Sequence, residues 1–377
     1  MKGKACVVIW PLILAGLCLV GFGPPALAGA DDLPATVDAH TLAAARQQPP
    51  PIQASAAAVV DGDTGELVWG KNPHQPLPPA SMTKMLTALV ALERGNPDEP
   101  VISSVDGQAM ALAGDSVMGL HPGERLSLRD LLFGLLVPSG DDAALAIATA
   151  IAGSEPAFVT LMNQTAARLG LTDSHFVNPH GLDAAGHVSS PYDMIVIARA
   201  AMRYPLFRQI VATRRVTIRG RWTYDLTNTN YFLGRRPDVI GVKTGTTERA
   251  LHAITIADRQ GDHVLYLTVM HTPDYVPDAS ALLDYFLTHY TWIELTLPDS
   301  PLLMVRDGPT TRRLQVDRPA VVYLPTWQAE TLSWTLDLTP DAPLRVTDNP
   351  DLPDLNDGAV TFYAGGAPLA RLPLVLR

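Results

Sequence analysis

The chain is expected to fold as a mixed α/β (α+β) protein, an antiparallel sheet flanked by helices with an inserted helical lobe, followed by a small all-β domain. Three observations predict this. Strand patterns stand at both ends of region 53–292 and helical patterns fill its middle. The helical segments are rich in Ala and Leu and are bounded by Ser, Gly and Pro. After Ile293, short Pro-punctuated strands take over for about eighty residues, a usual domain size.

Each element has a local reason. Ala56 to Val60 and Glu66 to Trp69 are apolar runs joined by the turn Asp61-Gly62-Asp63-Thr64-Gly65. Pro78-Pro79-Ala80-Ser81 leads into a helix over Met82 to Glu93, which Gly95 ends. Further helices are predicted over Leu126 to Leu136, Ala143 to Ala152, Glu155 to Leu169 (closed by Gly170) and Pro191 to Arg203 (started by Ser190). Ala250 to Ala257 and His263 to Met270 flank a polar turn and read as an antiparallel hairpin, and Ala279 to Tyr290 reads as a terminal helix. The tail strands are Val321 to Leu324, Leu332 to Leu338, Ala359 to Tyr363 and Leu372 to Leu376. No internal repeat is visible.

The 377 residues, 47% hydrophobic, suffice for a large domain and a smaller one. Residues 1–28 read as a secretory signal: Lys2 and Lys4, an apolar run from Ala5 to Phe22, then Ala26-Leu27-Ala28 as a cleavage site. The alternative is an uncleaved membrane anchor, though Pro11 and Gly16 interrupt the run. Cleavage would take the net charge from −10 to −12 and remove Cys6 and Cys18, leaving no thiol and no disulfide. So acidic a chain is a poor binder of nucleic acid. Residues 29–52 are a Pro-rich linker, so the catalytic region is expected over 53–292 and the β-rich domain over 293–377.

Lysine is scarce, with five in all: Lys2, Lys4, Lys71, Lys84 and Lys243. Lysine, unlike arginine, can lose its proton when buried or beside another cation. Two of the five lie in Ser81-Met82-Thr83-Lys84 and Lys243-Thr244-Gly245. Ser81 and Lys84 are spaced i, i+3, one face of a helix, which fits a nucleophile and its base. Lys243 is a candidate second cation, and a helix start at Ser81 offers backbone N–H groups to an oxyanion.

P-P-A-S-M-T-K-M-L-T-A, P-S-G-D-D-A and G-V-K-T-G-T-T resemble, in order and spacing, the three active-site motifs of the β-lactamase/transpeptidase-like superfamily of penicillin-binding serine enzymes. Within it, they resemble the D-alanyl-D-alanine carboxypeptidases, as do Phe176 to Asp183 and Gly186 to Met194. The resemblance covers roughly 53–292 and extends more weakly to the β tail, which is similar to the family's accessory domain. It implies that Ser81 attacks the carbonyl between two D-alanines of a peptidoglycan stem peptide, with Lys84 as general base and Ser139 relaying a proton to the leaving amine. Lys243 and Thr244 would hold the terminal carboxylate beside Gly245. Backbone N–H groups of Ser81 and Thr246 would form the oxyanion hole, and penicillins and other β-lactams would acylate Ser81. It also implies a place outside the cytoplasm, in the periplasm or at a bacterial cell surface, and a role in building the wall. No cofactor is implied. No H-E-x-x-H or Cys/His cluster suggests a metal, and His180 in N-P-H-G-L reads as support for a turn.

Two departures from the pattern bear on function. Where the family usually has Ser-x-Asn, the chain has Ser139-Gly140-Asp141. An amide donates a hydrogen bond and a carboxylate only accepts, so Asp141, still a candidate substrate-binding residue, is expected to pair with Lys84 and keep it charged. No arginine lies between Arg259 and Arg306, and Tyr275 takes the place where relatives often carry a carboxylate-binding arginine; Arg249 is the remaining candidate. Ser139 as a mere helix cap, endopeptidase activity, and a non-catalytic wall-binding role remain open. A β-lactamase is disfavoured, because Glu155, the one glutamate between Glu124 and Glu248, stands in the wrong context to activate a deacylating water. Attachment to a membrane, if any, would rest on an uncleaved N-terminus.

Overall fold

The structure, a computed structural model, describes residues 48–300, 303–307, 310–338 and 358–376. The expected signal, most of the linker and both cysteines lie outside the described residues. Two compact units are present, one of residues Pro50–Phe286 and one containing Leu287–Arg377.

The first unit opens with the hairpin β1 (Ala56–Asp61) and β2 (Leu67–Lys71). A 3-10 turn, Ala80–Thr83, runs directly into α1 (Lys84–Arg94), which extends to Gly95. Then come β3 (Pro100–Ser103), α2 (Gly107–Leu112), β4 (Glu124–Ser127) and α3 (Leu128–Leu136). The predicted helix from Leu126 therefore starts two residues late. Leu126 and Ser127 pair with β3, and the Ser127 and Asp130 side chains form a capping box. The lobe continues with α4 (Asp141–Ala152), α5 (Glu155–Arg168), α6 (Pro191–Ala201) and α7 (Pro205–Ala212). Ser190 caps α6 by accepting from Asp193 N.

A small hairpin follows, β5 (Arg215–Arg219) with β6 (Thr223–Thr227). The chain then returns to the main sheet as β7 (Val239–Thr247), β8 (Leu251–Gln260) and β9 (His263–Thr272), and α8 (Tyr275–His289) closes the series. The sheet order is β2-β1-β9-β8-β7, all antiparallel. Both ends of the unit thus build one sheet, as the sequence predicts. A single core joins the sheet to the lobe, with Met82, Leu86, Leu132, Ile147, Ile195 and Met270 all buried within it.

The second unit is β-rich: β10 (Tyr290–Leu295), β11 (Met304–Asp307), β12 (Thr310–Val316), β13 (Ala320–Pro325), a short helix α9 (Thr326–Glu330), β14 (Ser333–Leu338), β15 (Gly358–Ala364) and β16 (Ala367–Leu376). Leu295, Leu314, Val360 and Phe362 anchor its own core. Among the described residues no single helix is long and apolar enough to cross a membrane.

Candidate active site

Ser81 lies in the 3-10 turn that leads into α1. Just before it, Ala80 has a φ of 49°, a left-handed conformation that a Cβ disfavours. Two glycines let the backbone close around this bend. A Cβ on Gly181 would sit 2.0 Å from the Ala80 carbonyl oxygen, and one on Gly245 2.8 Å from that of Pro79. The bare Gly245 backbone of β7 therefore approaches Ser81 where no side chain would fit.

Lys84 follows one turn later and is fully buried. Its Nζ donates to Ser81 Oγ at 2.7 Å and to the His180 carbonyl at 2.8 Å. Asp141 Oδ1 lies 2.5 Å from the same nitrogen but without hydrogen-bond angles, so this contact is an ion pair. The structure thus puts Asp141 against Lys84, the pairing expected from sequence. As expected, Asp141 pulls the Lys84 pKa upward, but it is not the largest influence. Burial lowers the Lys84 pKa and outweighs the upward pull of Asp141, Asp142 and Asp115. Burial likewise raises Asp141 against the downward pull of Lys84. Both directions narrow the gap between the ion pair and the neutral pair, which suits a proton-accepting lysine.

Lys243, on β7, is also buried; its Nζ donates to the Thr244 carbonyl at 3.1 Å. Burial, reinforced by the charge of Lys84, lowers its pKa well below the ordinary lysine value. Lys243 lies behind the cleft wall, whereas Thr244, Gly245 and Thr246 line the wall itself. Ser81, Ser139 and Tyr275 complete the predicted lining of a cleft of about 540 Å³. Arg249 is not in that lining: it is exposed, and its backbone N–H is tied to Asp183 Oδ2 at 3.0 Å. Ser139 does not cap α4, whose N-cap position is Gly140, with no side-chain cap. Its φ of 72° belongs to a tight bend.

Other residues had no motif to reveal them. Thr229 exchanges a hydroxyl hydrogen bond with Thr244 at 2.6 Å. Ser116, His252 and Asp274 also line the cleft, and His252 Nδ1 lies 3.0 Å from Thr246 Oγ1. Asp142, beside Asp141 in the motif, is fully buried. Its Oδ1 accepts from Met118 N (2.9 Å) and Ala143 N (2.8 Å), and its Oδ2 from Gly119 N (2.8 Å) and Leu120 N (2.9 Å). It pins the 118–120 loop to the start of α4.

Two buried histidines, His187 and His180, are structural. His187 Nδ1 accepts from Val177 N at 3.0 Å, so Nε2 carries the hydrogen and donates to Thr83 Oγ1 at 2.8 Å. Burial lowers its pKa to about 4. His180 Nδ1 accepts from Leu182 N at 3.2 Å, which is the turn support expected of it. Burial and the charge of Lys84 lower the His180 pKa to about 3. Among the described residues no three His, Cys, Asp or Glu side chains are grouped to hold a metal ion.

A family model described as D-alanyl-D-alanine carboxypeptidase, peptidase S11, matches residues 43–274. The D-alanyl-D-alanine carboxypeptidase DacF of Bacillus subtilis is 34% identical over 257 residues, 66% of this chain and 62% of its own length. The carboxypeptidase DacD of Salmonella typhimurium is 37% identical over 233 residues, 59% of each chain. The chain thus spans about three fifths of the length of these curated relatives. Among solved structures, penicillin binding protein 6B from Escherichia coli aligns with a TM-score of 0.71 at 30% identity, covering 87% of this chain and 97% of that one. The Streptomyces K15 DD-transpeptidase aligns with a TM-score of 0.60 at 28% identity, covering 63% and 98%. With the family model spanning most of the first unit, and these structures sharing its sheet-and-lobe architecture, the chain belongs to the D-alanyl-D-alanine carboxypeptidase family.

Proposed function

We propose that the chain is a serine-type D-Ala-D-Ala carboxypeptidase that removes the terminal D-alanine from peptidoglycan stem peptides. The observation that carries this reading is the 2.7 Å bond between the Lys84 amine and the Ser81 hydroxyl, with the lysine buried and its pKa lowered. A serine hydroxyl becomes a competent nucleophile when a neutral amine sits within reach of its proton.

Ser81 Oγ bonds to the carbonyl carbon of the penultimate D-alanine as its proton passes to Lys84 Nζ. The carbonyl oxygen becomes an oxyanion, held by the backbone N–H groups of Ser81 and Thr246, which the bare backbone of Gly245 brings close together. Collapse breaks the C–N bond. The leaving amine takes its proton from Lys84 through the Ser139 hydroxyl. A water then donates a proton to Lys84 and bonds to the acyl carbon, and the Ser81 ester breaks as Lys84 returns that proton to Ser81 Oγ. Thr244, with Thr229 behind its hydroxyl and His252 beside Thr246, orients the terminal carboxylate. β-Lactams enter by the same first step and acylate Ser81. The signal-like N-terminal sequence and this substrate support a site of action outside the cytoplasm of a bacterium.

The test is D-alanine release from a pentapeptide ending in D-Ala-D-Ala, with Ser81→Ala as control. Release by the native chain alone supports the proposal; no release, with no labelling of Ser81 by fluorescent penicillin, overturns it. A second reading, DD-endopeptidase activity, draws on Asp274 in the cleft lining, a carboxylate that repels a free terminal carboxylate. Cleavage of a cross-linked muropeptide dimer faster than the pentapeptide would favour it.

A further inference from the structure

Between Met194 and Pro237 the chain carries nine arginines and a single acid, Asp225, although its overall charge is −10. Part of this cluster is organised by the hairpin β5–β6. Val216, Ile218, Tyr224 and Leu226 turn inward and pack on the core. The alternate positions, Arg215, Thr217 and Arg219 facing Thr227, Asp225 and Thr223, are exposed. Asp225 is engaged by the Thr217 hydroxyl at 2.6 Å. Among the described residues no carboxylate forms a salt bridge with Arg215, Arg219 or Arg221.

The hairpin tip carries Trp222, 45% exposed, with the Arg221 guanidinium 5.9 Å from its ring centre. His121 stacks on the indole at 4.4 Å and 17°. A hydrogen-bond chain fixes that stack. Gln108 Nε2 can only donate, so it donates to His121 Nε2 at 3.2 Å; Nδ1–H then meets Tyr224 Oη at 3.4 Å, and Tyr224 donates to the buried Glu124. An exposed aromatic face is thus held rigid by its own network, as preorganised binding faces are.

The hairpin is rooted at the cleft. Thr229, two residues beyond β6, lines the cleft, and so does Ser116, five residues before His121. Thr227, paired with Arg215, lies two residues before Thr229, and the strand runs about 13 Å from there to Thr223, paired with Arg219 beside the tip. The three stem residues before D-Ala-D-Ala span about 10 Å when extended, and the amino sugar follows them.

We infer that the outer face of hairpin β5–β6 binds the part of the substrate upstream of D-Ala-D-Ala: Arg215 and Arg219 engage the free carboxylates of the stem peptide, and Trp222 stacks on the amino sugar that carries it. The inference rests on the peptidoglycan substrate proposed above. Charge complementarity and matching length carry it. Guanidiniums pair well with carboxylates, and the indole face accepts the C–H face of a pyranose ring.

The test is calorimetric binding to the Ser81→Ala protein, which cannot turn over. The two ligands are an N-acetylmuramyl pentapeptide and an acetylated tripeptide ending in D-Ala-D-Ala. The readout is the ratio of their affinities. Arg215→Ala with Arg219→Ala is expected to cut the preference for the longer ligand about tenfold, and Trp222→Ala by a similar factor. Lysines at 215 and 219, or Trp222→Phe, should restore part of it, which a misfolded hairpin would not allow. An unchanged ratio in both alanine variants overturns the inference. The outcome is separable from the proposed activity: if native protein releases no D-alanine, the activity falls, while the affinity ratio still reports on the hairpin.

Discussion

Replacing Asp142 by asparagine tests how the catalytic unit holds its second motif. Asp142 accepts four backbone N–H bonds of 2.8 to 2.9 Å, two on each oxygen, with no exposed surface. Asparagine keeps one acceptor oxygen, so two of the four donors can still be satisfied. The new amide turns its own N–H groups toward the other two. A buried donor left without a partner costs about 1 to 3 kcal/mol, and partial relaxation puts Asp142→Asn at about 3 kcal/mol. Asp142→Ala strands all four donors and should cost about 5 kcal/mol. For a unit of this size each kcal/mol lowers Tm by about 2 to 4 °C, so Asp142→Asn should melt about 10 °C early. The loop also matters to the cleft, because Asp141 N donates to the Ser116 carbonyl at 2.7 Å. The asparagine variant should therefore also raise KM. Differential scanning calorimetry on both variants is the assay. A Tm within about 2 °C of native for Asp142→Asn would show that the four bonds do not stabilise the fold as argued.

The other predictions bear on chemistry and backbone. Asp141→Asn removes the largest upward pull on Lys84, so the amine loses its proton at lower pH; the acidic limb of kcat/KM should move to lower pH and the rate near neutrality rise, and superimposable profiles refute this. Gly245→Ala places a Cβ 2.8 Å from the Pro79 carbonyl oxygen and should slow penicillin acylation at least tenfold, about 1.4 kcal/mol of barrier; Gly153→Ala, which meets nothing within 4 Å, should leave acylation at the native rate. His187 has a folded pKa of about 4 against an ordinary 6.5, so the unfolded chain binds the proton more readily; stability should fall by about 3 kcal/mol as pH drops from 6.5 to 4. Urea titrations of native and His187→Gln protein should show that slope only in the native chain.

The sequence was legible where function sets local spacing. Ser81 and Lys84 are one turn apart in the chain and touch in space. The Asp141–Lys84 pair joins residues 57 positions apart, so its distance awaited the fold. The strand that carries Lys243 is hard to read, because Val239–Thr247 is buried on both faces and so does not alternate. Gly241 and Gly245 also break any β-propensity there. Gly245 is explained only by the approach of Pro79. Hairpin β5–β6, by contrast, alternates cleanly along R-V-T-I-R and T-Y-D-L-T. That pattern is a hairpin signal, hidden by a turn of Gly220-Arg221-Trp222 in which only the glycine is a usual turn residue.

Asp141 and Asp142 show how neighbouring residues of one type divide structure from chemistry. The charge of Asp142 is spread over four N–H donors, and of the two neighbours it pulls the less on Lys84. Asp141 Oδ1 has no such donors and faces the lysine alone. A carboxylate surrounded by backbone amides gains nothing from moving its proton, whereas a buried carboxylate beside a buried amine can exchange one at little cost. Lys243 is affected in turn, because burial and the charge of Lys84 disfavour its proton. Burial pushes Lys84 toward the free base, and Asp141 restrains it more than Asp142 or Asp115 does. In the proposed mechanism the residue at 141 therefore tunes the pH at which Ser81 becomes a nucleophile, and the residue at 142 holds the shape of the motif.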